Sequence, residues 1–179
     1  MIRAQSKIEC RKIAKEIRVS LAQSGLIDVK SSRIVSKILN SKEFIEACHI
    51  ALYYPIKNEI NLLGLLNLKG KNFYFPKTVG NELEFVKYID EQNMIEGKFG
   101  EKIPQGKSID PQILDIIYIP ALMANRNNFR LGYGKGYYDR FLKYNAQHSL
   151  KYIVVAQELI SSDFIEDEFD YKCHGIISA

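Results

Sequence analysis

The sequence predicts an α/β fold: a single domain with a mostly parallel central sheet flanked by helices. Two patterns support this prediction. Short apolar runs, typical of buried strands, alternate along the chain with segments of helical periodicity, and such alternation favours parallel strands joined by helices. The 179 residues suit one domain with a sizeable core, and the sequence contains no repeat, low-complexity tract or linker. We therefore expect one domain that spans residues 1–179.

Four segments have the features of helices. Residues 3–23 have apolar residues at helical spacing on one face and Lys and Arg on the other, and "SGL" at 24–26 ends this helix. Its predicted apolar face consists of Ile8, Ile13, Ile17 and Leu21. The other predicted helices are a serine-capped segment at 31–41, a leucine-rich segment at 59–70 and the segment 136–145 that follows a group of glycines.

The predicted strands are short apolar or alternating runs, of which "DIIYIPALM" (115–123) is the clearest. The others are residues 49–55, 71–77, 83–89, 151–157 and 174–178. Residues 90–114 are rich in glycine, proline and charge and have no strong periodicity. We expect them to form a long surface excursion that can act as a flap.

Composition favours a cytoplasmic protein with a small anionic ligand. The net charge of +4 is compatible with such a ligand, but it falls short of the dense basic patch of a dedicated nucleic-acid binder. The three cysteines are scattered and form no CxxC pair, so we expect buried thiols rather than zinc ligands or disulfides. We find no apolar signal segment and no uncharged run long enough to span a membrane.

The segment "FRLGYGKGYYDRF" (129–141) concentrates glycine, positive charge and tyrosine in one place. Two familiar phosphate-binding motifs do not fit the chain. "GEKIPQGKS" (100–108) has five residues between its glycines where a Walker loop has four, and Pro104 interrupts it. The glycine segment itself is one residue short of the dinucleotide fingerprint GxGxxG, and it follows several predicted strands instead of the first one.

A different anion cradle fits the glycine segment better. Alternate glycines let backbone N–H groups approach an oxyanion closely, and a helix that starts near Gly136 adds its positive end. Arg130 and Lys135 contribute charge, and Asp139 can hold Mg²⁺ beside phosphates. Flat faces for a planar ring come from Tyr133, Tyr137 and Tyr138. The alternative is a tight glycine turn before an amphipathic helix, with the aromatic side chains partly in the core.

The stretch "RLGYGKGYYDR" (130–140) resembles the signature of the 5-formyltetrahydrofolate cyclo-ligase family, and the match is longer and more specific than a GxGxG pattern. The resemblance extends along nearly the whole chain. Its other segments are "YYPIKNEINL" (53–62), "FYFPK" (73–77), "GKFG" (97–100) and "DIIYIPALM" (115–123).

This resemblance implies a reaction. Members of the family convert 5-formyltetrahydrofolate to 5,10-methenyltetrahydrofolate while ATP, in the presence of Mg²⁺, becomes ADP and phosphate. The implied partners are these small molecules, without nucleic acid or membrane, and we expect a monomer. Such an enzyme must hold the γ-phosphate in line with the formyl oxygen and neutralise the charge that moves with it. We expect the crevice at the carboxyl ends of the parallel strands.

The resemblance also assigns residues. It implies catalytic roles for Lys135 and Arg130. It implies ATP contacts for Lys7, Arg11, Arg130, Leu131, Gly132, Tyr133, Gly134, Lys135, Gly136, Tyr137 and Tyr138. It implies folate contacts for Tyr54, Glu59, Tyr133, Gly134, Lys135, Gly136 and Tyr137, and Mg²⁺ ligation by Asp139 and Asp170.

Simpler roles remain open for several of these residues. Lys7 and Arg11, one helical turn apart, can belong to a solvated basic face, and Glu59 can be a helix-start residue favoured by the helix dipole. Asp170 can be one charge of the acidic surface run "EDEFD" (166–170). A non-catalytic RNA-binding module that stacks bases on the tyrosines is the alternative function, and it would not need these carboxylates.

The chain departs from the family pattern at three acidic positions. His174, Asn125 and Ile103 stand where family members often have Asp or Glu. His174 is either a group near the magnesium site or a surface residue, and the surface role is favoured because a hard cation prefers oxygen ligands.

Overall fold

The computed structural model describes residues 6–162 and 164–179. The helices are α1 (Lys7–Gln23), α2 (Leu26–Leu39), α3 (Lys42–Glu46) and α4 (Tyr137–Tyr144). The start of α1 is fixed by a capping box, in which the Ser6 hydroxyl accepts from the Glu9 N–H and the Glu9 carboxylate accepts from the Ser6 N–H. Gly25, at φ 70°, then turns the chain from α1 into α2.

Ten strands occur among the residues that the structure describes. They are β1 (His49–Ala51), β2 (Asn72–Val79), β3 (Glu82–Lys87), β4 (Met94–Glu96), β5 (Lys102–Pro104), β6 (Ile116–Pro120), β7 (Met123–Ala124), β8 (Arg130–Leu131), β9 (Leu150–Val154) and β10 (Gly175–Ile177). The central sheet has the order β10-β9-β6-β1-β2-β3. All its neighbours pair in parallel except β2 and β3, which form an antiparallel hairpin at one edge. The predicted α/β fold with a mostly parallel sheet is confirmed.

The helical face that α1 buries differs from the prediction. The buried residues are Cys10, Ala14, Arg18 and Leu21, whereas Ile8 is 77% exposed. The prediction is correct for Leu21, and Ile17 packs against the core, but Ile8 is wrong and the buried face includes the long polar residue Arg18. The second helix starts at Leu26 instead of 31, and α3, which Ser41 caps, was not predicted.

The predicted helix at 59–70 is wrong. Only Leu63–Asn67 is helical, as a short 3₁₀ turn closed by hydrogen bonds such as Leu65 N–H to Leu62 O. The leucines in this segment were assigned a helical period, but Ile60, Leu62 and Leu65 are buried from an irregular backbone that lies over the core. Glu59 consequently lies outside the turn, so its alternative role as a helix-start residue is also wrong.

Residues 90–114 contain more regular secondary structure than predicted, and the predicted strand at 115–123 is interrupted. The excursion at 90–114 contains the β4–β5 hairpin and two 3₁₀ turns, Glu91–Asn93 and Pro111–Ile113. The predicted strand at 115–123 ends at Pro120, and the chain then enters a second small hairpin of β7 and β8. That hairpin places the start of the glycine segment beyond the carboxyl end of β6.

The core lies on both faces of the central sheet. Its buried apolar residues form one continuous cluster that includes the interior of β6 and residues of α1, α2 and α4. No helix within the described part of the chain is long and apolar enough to cross a membrane.

Candidate active site

A cavity of about 740 Å³ opens where β1 and β6 end, which is the position expected for a ligand crevice in a parallel sheet. Its volume falls within the usual range of small-molecule sites, roughly 300–1,000 Å³. One wall is the glycine segment and the first turn of α4, and another is the exposed side of α1. The loop after β1, the β4–β5 hairpin and residues 167–170 complete the rim.

The glycine segment needs its glycines for two different reasons. Gly134 has φ 96°, a conformation that side chains rarely adopt. At Gly132 a Cβ atom would lie 2.5 Å from Nη1 of Arg130, so a side chain at this position would displace that guanidinium. Gly136 is the last glycine of the segment and caps α4, whose first turn lines the cavity with its N-terminal, positive end.

Arg130 and Asp139 form a nearly buried ion pair at the base of this segment. Nη2 of Arg130 lies 2.7 Å from Oδ2 of Asp139, and their side chains are 6% and 16% exposed. Arg130 Nε and the hydroxyl of Tyr138 are buried without a hydrogen-bond partner among the described residues. Since buried polar groups are nearly always paired, these two atoms are suited to bind a polar ligand in the cavity.

A second set of ion pairs lies at the start of α1. Nζ of Lys7 is 2.5 Å from Oδ2 of Asp170 and 2.7 Å from Oδ2 of Asp167. Burial alone lowers the pKa of Lys7, but the two carboxylates outweigh it and raise the pKa. One turn later, Nε of Arg11 donates to the carbonyl of Gly132 at 2.9 Å. The alternative in which Lys7 and Arg11 form a merely solvated face is therefore wrong, since both contact the cavity wall.

Asp139 and Asp170, 31 positions apart, both line the cavity. The backbone N–H of Tyr171 is 3.5 Å from Oδ1 of Asp139, so the backbone next to Asp170 lies close to Asp139. No cluster of three or more His, Cys, Asp or Glu side chains able to hold a metal occurs within residues 6–162 and 164–179. Two carboxylates still fit Mg²⁺, which commonly takes one or two from the protein and fills its shell with water and phosphate.

Glu59 occupies the other end of the cavity with Tyr133. The Glu59 side chain is 4% exposed, its Oε2 accepts from the Ile56 N–H at 3.1 Å, and the Tyr133 hydroxyl donates to its Oε1 at 3.4 Å. Burial raises the pKa of Glu59, and burial together with the Glu59 charge raises the pKa of Tyr133 to about 12. Tyr54, from the same loop, lies beneath Nζ of Lys102.

Lys135 is the most exposed of the predicted cations. It lies at the tip of the glycine segment between Gly134 and Gly136 and lines the cavity. Its backbone carbonyl accepts from Nη1 of Arg140 at 3.0 Å, which ties the tip to α4. The structure thus brings the predicted ATP, folate and metal residues to one cavity wall or another.

Comparison with known proteins agrees with this geometry. The family model described as "5-formyltetrahydrofolate cyclo-ligase family" matches residues 2–166. The chain belongs to the 5-formyltetrahydrofolate cyclo-ligase family. The predicted membership is confirmed, although Asp170 lies beyond the matched residues.

Curated and solved proteins of this family are similar over most of their length. A 5-formyltetrahydrofolate cyclo-ligase of Mycoplasma genitalium is 31% identical over 170 residues, which cover 92% of each chain. A solved 5,10-methenyltetrahydrofolate synthetase from Mycoplasma pneumoniae has a TM-score of 0.79 and 25% identity, covering 97% of this chain and 98% of that one. The Aquifex aeolicus 5,10-methenyltetrahydrofolate synthetase has a TM-score of 0.84 and 30% identity, covering 96% and 89%.

Several cavity residues of this family member were missed at the level of sequence. Lys15 continues the i, i+4 spacing of Lys7 and Arg11, and that spacing was a usable signal. Tyr53 and Arg140 lie within the motif segments 53–62 and 129–141 but were not assigned to the site. Others reach the cavity through tertiary structure: Phe99, Glu101, Lys102, Asp167 and Phe169. Three of these come from the β4–β5 hairpin, so the excursion at 90–114 contributes directly to the cavity.

The three departures from the family pattern have local explanations. Asn125 is buried, and its side chain organises the β7–β8 turn by accepting from the backbone N–H groups of Asn127 and Phe129. Ile103 is buried within β5. The ring of His174 accepts from the Lys151 N–H at 3.1 Å at an exposed site, which favours the surface role.

Proposed function

We propose that this protein converts 5-formyltetrahydrofolate to 5,10-methenyltetrahydrofolate, with Mg²⁺-bound ATP as co-substrate and ADP and phosphate as products. One observation carries the proposal: the family's glycine signature, two acidic residues suited to Mg²⁺ and the buried Glu59 all line a single cavity. A stacking surface for RNA does not need those carboxylates, and no observation favours the RNA-binding alternative.

The reaction requires activation of a poor leaving group. The formyl oxygen on N5 attacks the γ-phosphorus, and ADP leaves. N10 then attacks the activated formyl carbon, the C–O bond breaks to release phosphate, and N10 loses its proton as the ring closes. Little covalent work is asked of the protein, so positioning and charge stabilisation supply the catalysis.

The phosphate end of the site is the set of Lys7, Arg11, Arg130 and Lys135 around the glycine segment. We propose that Lys7 and Arg130 exchange their aspartate partners for phosphate oxygens when ATP binds, because both cations already face the cavity in ion pairs. Asp170 and Asp139 are then free to hold Mg²⁺, which, when bound, offsets phosphate charge. Arg130 Nε, which has no hydrogen-bond partner among residues 6–162 and 164–179, supplies a further donor to the same oxygens.

The folate end is built around Glu59. A carboxylate there can accept from the amino and ring N–H donors of a pterin, and Tyr54, Tyr133 and Tyr137 offer aromatic faces. The tip of the glycine segment, Gly134 to Gly136, lies between the two ends, which suits a segment that contacts both substrates. Lys135 and Arg130 are the proposed catalytic residues because both cations line the cavity along the glycine segment, and such charges stabilise a transferring phosphoryl group.

The expected setting is a monomer in the cytoplasm that acts on small molecules without nucleic acid or membrane. Support comes from the modest net charge of +4 and from thiols that form no disulfide within the described part of the chain. Sedimentation of the purified protein tests the monomer.

A spectroscopic assay of 5,10-methenyltetrahydrofolate formation tests the function directly. Product should accumulate only when 5-formyltetrahydrofolate, ATP and Mg²⁺ are all present, and phosphate should be released in equal amount. Absence of product with the folded protein, together with salt-sensitive binding to single-stranded RNA, would instead favour the RNA-binding alternative.

A further inference from the structure

Arg18 is a buried cation directly behind the folate end of the cavity. It lies in α1 and is 4% exposed, at a helix position otherwise expected for an apolar residue. Glu59 and Tyr133 both line the cavity, whereas Arg18 is not among the described lining residues. Burying an arginine is costly unless its charge and donors are satisfied, so its contacts indicate what it is there to do.

Its guanidinium joins three separate segments. Nη1 donates to the Tyr133 hydroxyl at 2.8 Å and lies 3.6 Å from Oε1 of Glu59. Nη2 donates to the carbonyl of Ala121, which follows β6. The planar, two-armed guanidinium can hold these partners at once, and a lysine, as a point charge, cannot reproduce that geometry.

Arg18 also supplies the charge that Glu59 lacks elsewhere. Burial raises the pKa of Glu59, and the positive charge of Arg18 is the strongest influence that opposes this rise. The other titratable groups near Glu59 in the described part of the chain are the phenols of Tyr53, Tyr133 and Tyr138, and Lys57, whose Nζ lies over the Tyr133 ring. Without Arg18, a carboxylate buried to this degree would tend to take up a proton.

We propose that Arg18 is a positioning residue for folate. Its guanidinium lies 3.6 Å from Oε1 of Glu59 and donates to the Tyr133 hydroxyl, and it holds both side chains so that the Glu59 carboxylate accepts from the pterin and the Tyr133 ring packs against it. This inference rests on the proposed function, which assigns Glu59 to pterin binding. Arg18 itself contacts no substrate. It acts through the two residues in front of it.

The test measures 5-formyltetrahydrofolate binding without ATP, by fluorescence titration, from pH 5 to pH 8. Arg18→Met should weaken binding at neutral pH by about tenfold or more, the size expected for a lost charged hydrogen bond. Its binding should also be lost at a higher pH than in the wild type, because the raised pKa of Glu59 rises further and only the ionised form binds. Arg18→Lys retains the charge and should restore the wild-type pH profile, with intermediate affinity.

A double substitution separates this role from simple structural support. In the Glu59→Gln background the neutral amide needs no counter-charge, so adding Arg18→Met should reduce folate binding far less than it does in the wild type. Lys12→Met, at an exposed position of the same helix, is the matched control and should leave binding unchanged.

Two results would overturn the inference. One is an unchanged pH profile in Arg18→Met; the other is the same loss of affinity in both backgrounds. If Arg18→Met does not fold, Arg18→Lys decides alone: a pH profile that departs from the wild type although the positive charge is retained contradicts the proposal. Wild-type protein that binds no 5-formyltetrahydrofolate at any pH would defeat the proposed function instead, which keeps the two failures distinct.

Discussion

Lys151 and Arg130 are both buried cations, yet their surroundings are opposite in kind. Lys151, in β9, has no exposed surface, and its Nζ donates to the carbonyls of Ala146, Ser149 and Gln147 at 2.8, 2.9 and 3.5 Å. An ammonium has three donors, so this set is complete. Arg130 has one carboxylate partner, and its Nε has none among the described residues. The first site is closed by the protein, whereas the second is left for a ligand to complete.

Lys151 and the cavity residue Lys7 show the same contrast in the direction of their pKa shifts. Burial lowers the pKa of Lys151, because its partners are neutral carbonyls. At Lys7 burial also acts to lower the pKa, but Asp167 and Asp170 reverse the direction. Carbonyls that are held in place by the backbone cannot leave. Side-chain carboxylates can exchange an ammonium for Mg²⁺. The ion pairs of Lys7 can therefore rearrange when ligands bind, whereas the hydrogen bonds of Lys151 cannot.

Among the substitutions of cavity residues, Lys135→Ala should have the largest effect on kcat. Losing one preorganised charge at the transferring phosphoryl group typically costs ~3–4 kcal/mol, a hundred- to thousand-fold loss in kcat. Because Lys135 is exposed at the segment tip, thermal unfolding should be unchanged. Lys143→Ala, an exposed lysine of α4 outside the cavity lining, is the control. Near-normal turnover of folded Lys135→Ala would remove Lys135 from the catalytic residues.

Glu59→Gln should act on one substrate. Since hydrogen bonds to charged groups contribute ~1.5–3 kcal/mol, the KM for 5-formyltetrahydrofolate should rise by roughly ten- to hundred-fold, with the ATP KM changed much less. Tyr54→Ala should shift the two KM values in the same unequal way. Steady-state kinetics with each substrate varied in turn provides the measurement. Equal changes in both KM values would mean that Glu59 supports the cavity as a whole and not its folate end.

Local sequence patterns predicted the sheet and the glycine segment. They failed where a polar residue is buried or an apolar residue is exposed. Alternating apolar runs were sufficient for the parallel sheet because buried strands tolerate few polar residues. The face of α1 was predicted only in part, because polarity gives no sign that Arg18 takes a core position. The segment after Glu59 was assigned to a helix because its leucines mimic a helical period. Arg18, Phe99 and Phe169 reach the site only through tertiary contacts, which spacing along the chain does not report.

Lys151→Met tests the closed side of the comparison. Three carbonyls would lose their donor in a buried site, and an unsatisfied buried group costs ~1–3 kcal/mol. The free energy of unfolding in denaturant should fall by about that amount while both KM values stay as in the wild type. Lys143→Met, on the surface of α4, should not alter stability. A clear rise in either KM without a loss of stability would show that Lys151 belongs to the site after all.

Asp170→Asn is expected to have the smallest effect on activity. It distinguishes two roles that are both compatible with the position of Asp170. Oδ2 of Asp170 accepts from Lys7 and from the Asp167 N–H, so the residue can act by holding Lys7 or by binding Mg²⁺. Asp167 shares the Lys7 contact but is 52% exposed, against 14% for Asp170. That makes Asp167→Asn the matched comparison.

If Asp170 is a metal ligand, Asp170→Asn should raise the Mg²⁺ concentration needed for half-maximal activity by about tenfold, ~1.4 kcal/mol, while Asp167→Asn shifts it much less. Folate binding measured without ATP should be the same in both variants, because Glu59 and Tyr54 lie at the other end of the cavity. Titrating Mg²⁺ against binding of a fluorescent ATP analogue supplies a second readout that does not depend on turnover. Equal shifts in the two variants would mean that Asp170 serves only to hold Lys7, and the magnesium site would then rest on Asp139 and the phosphates alone.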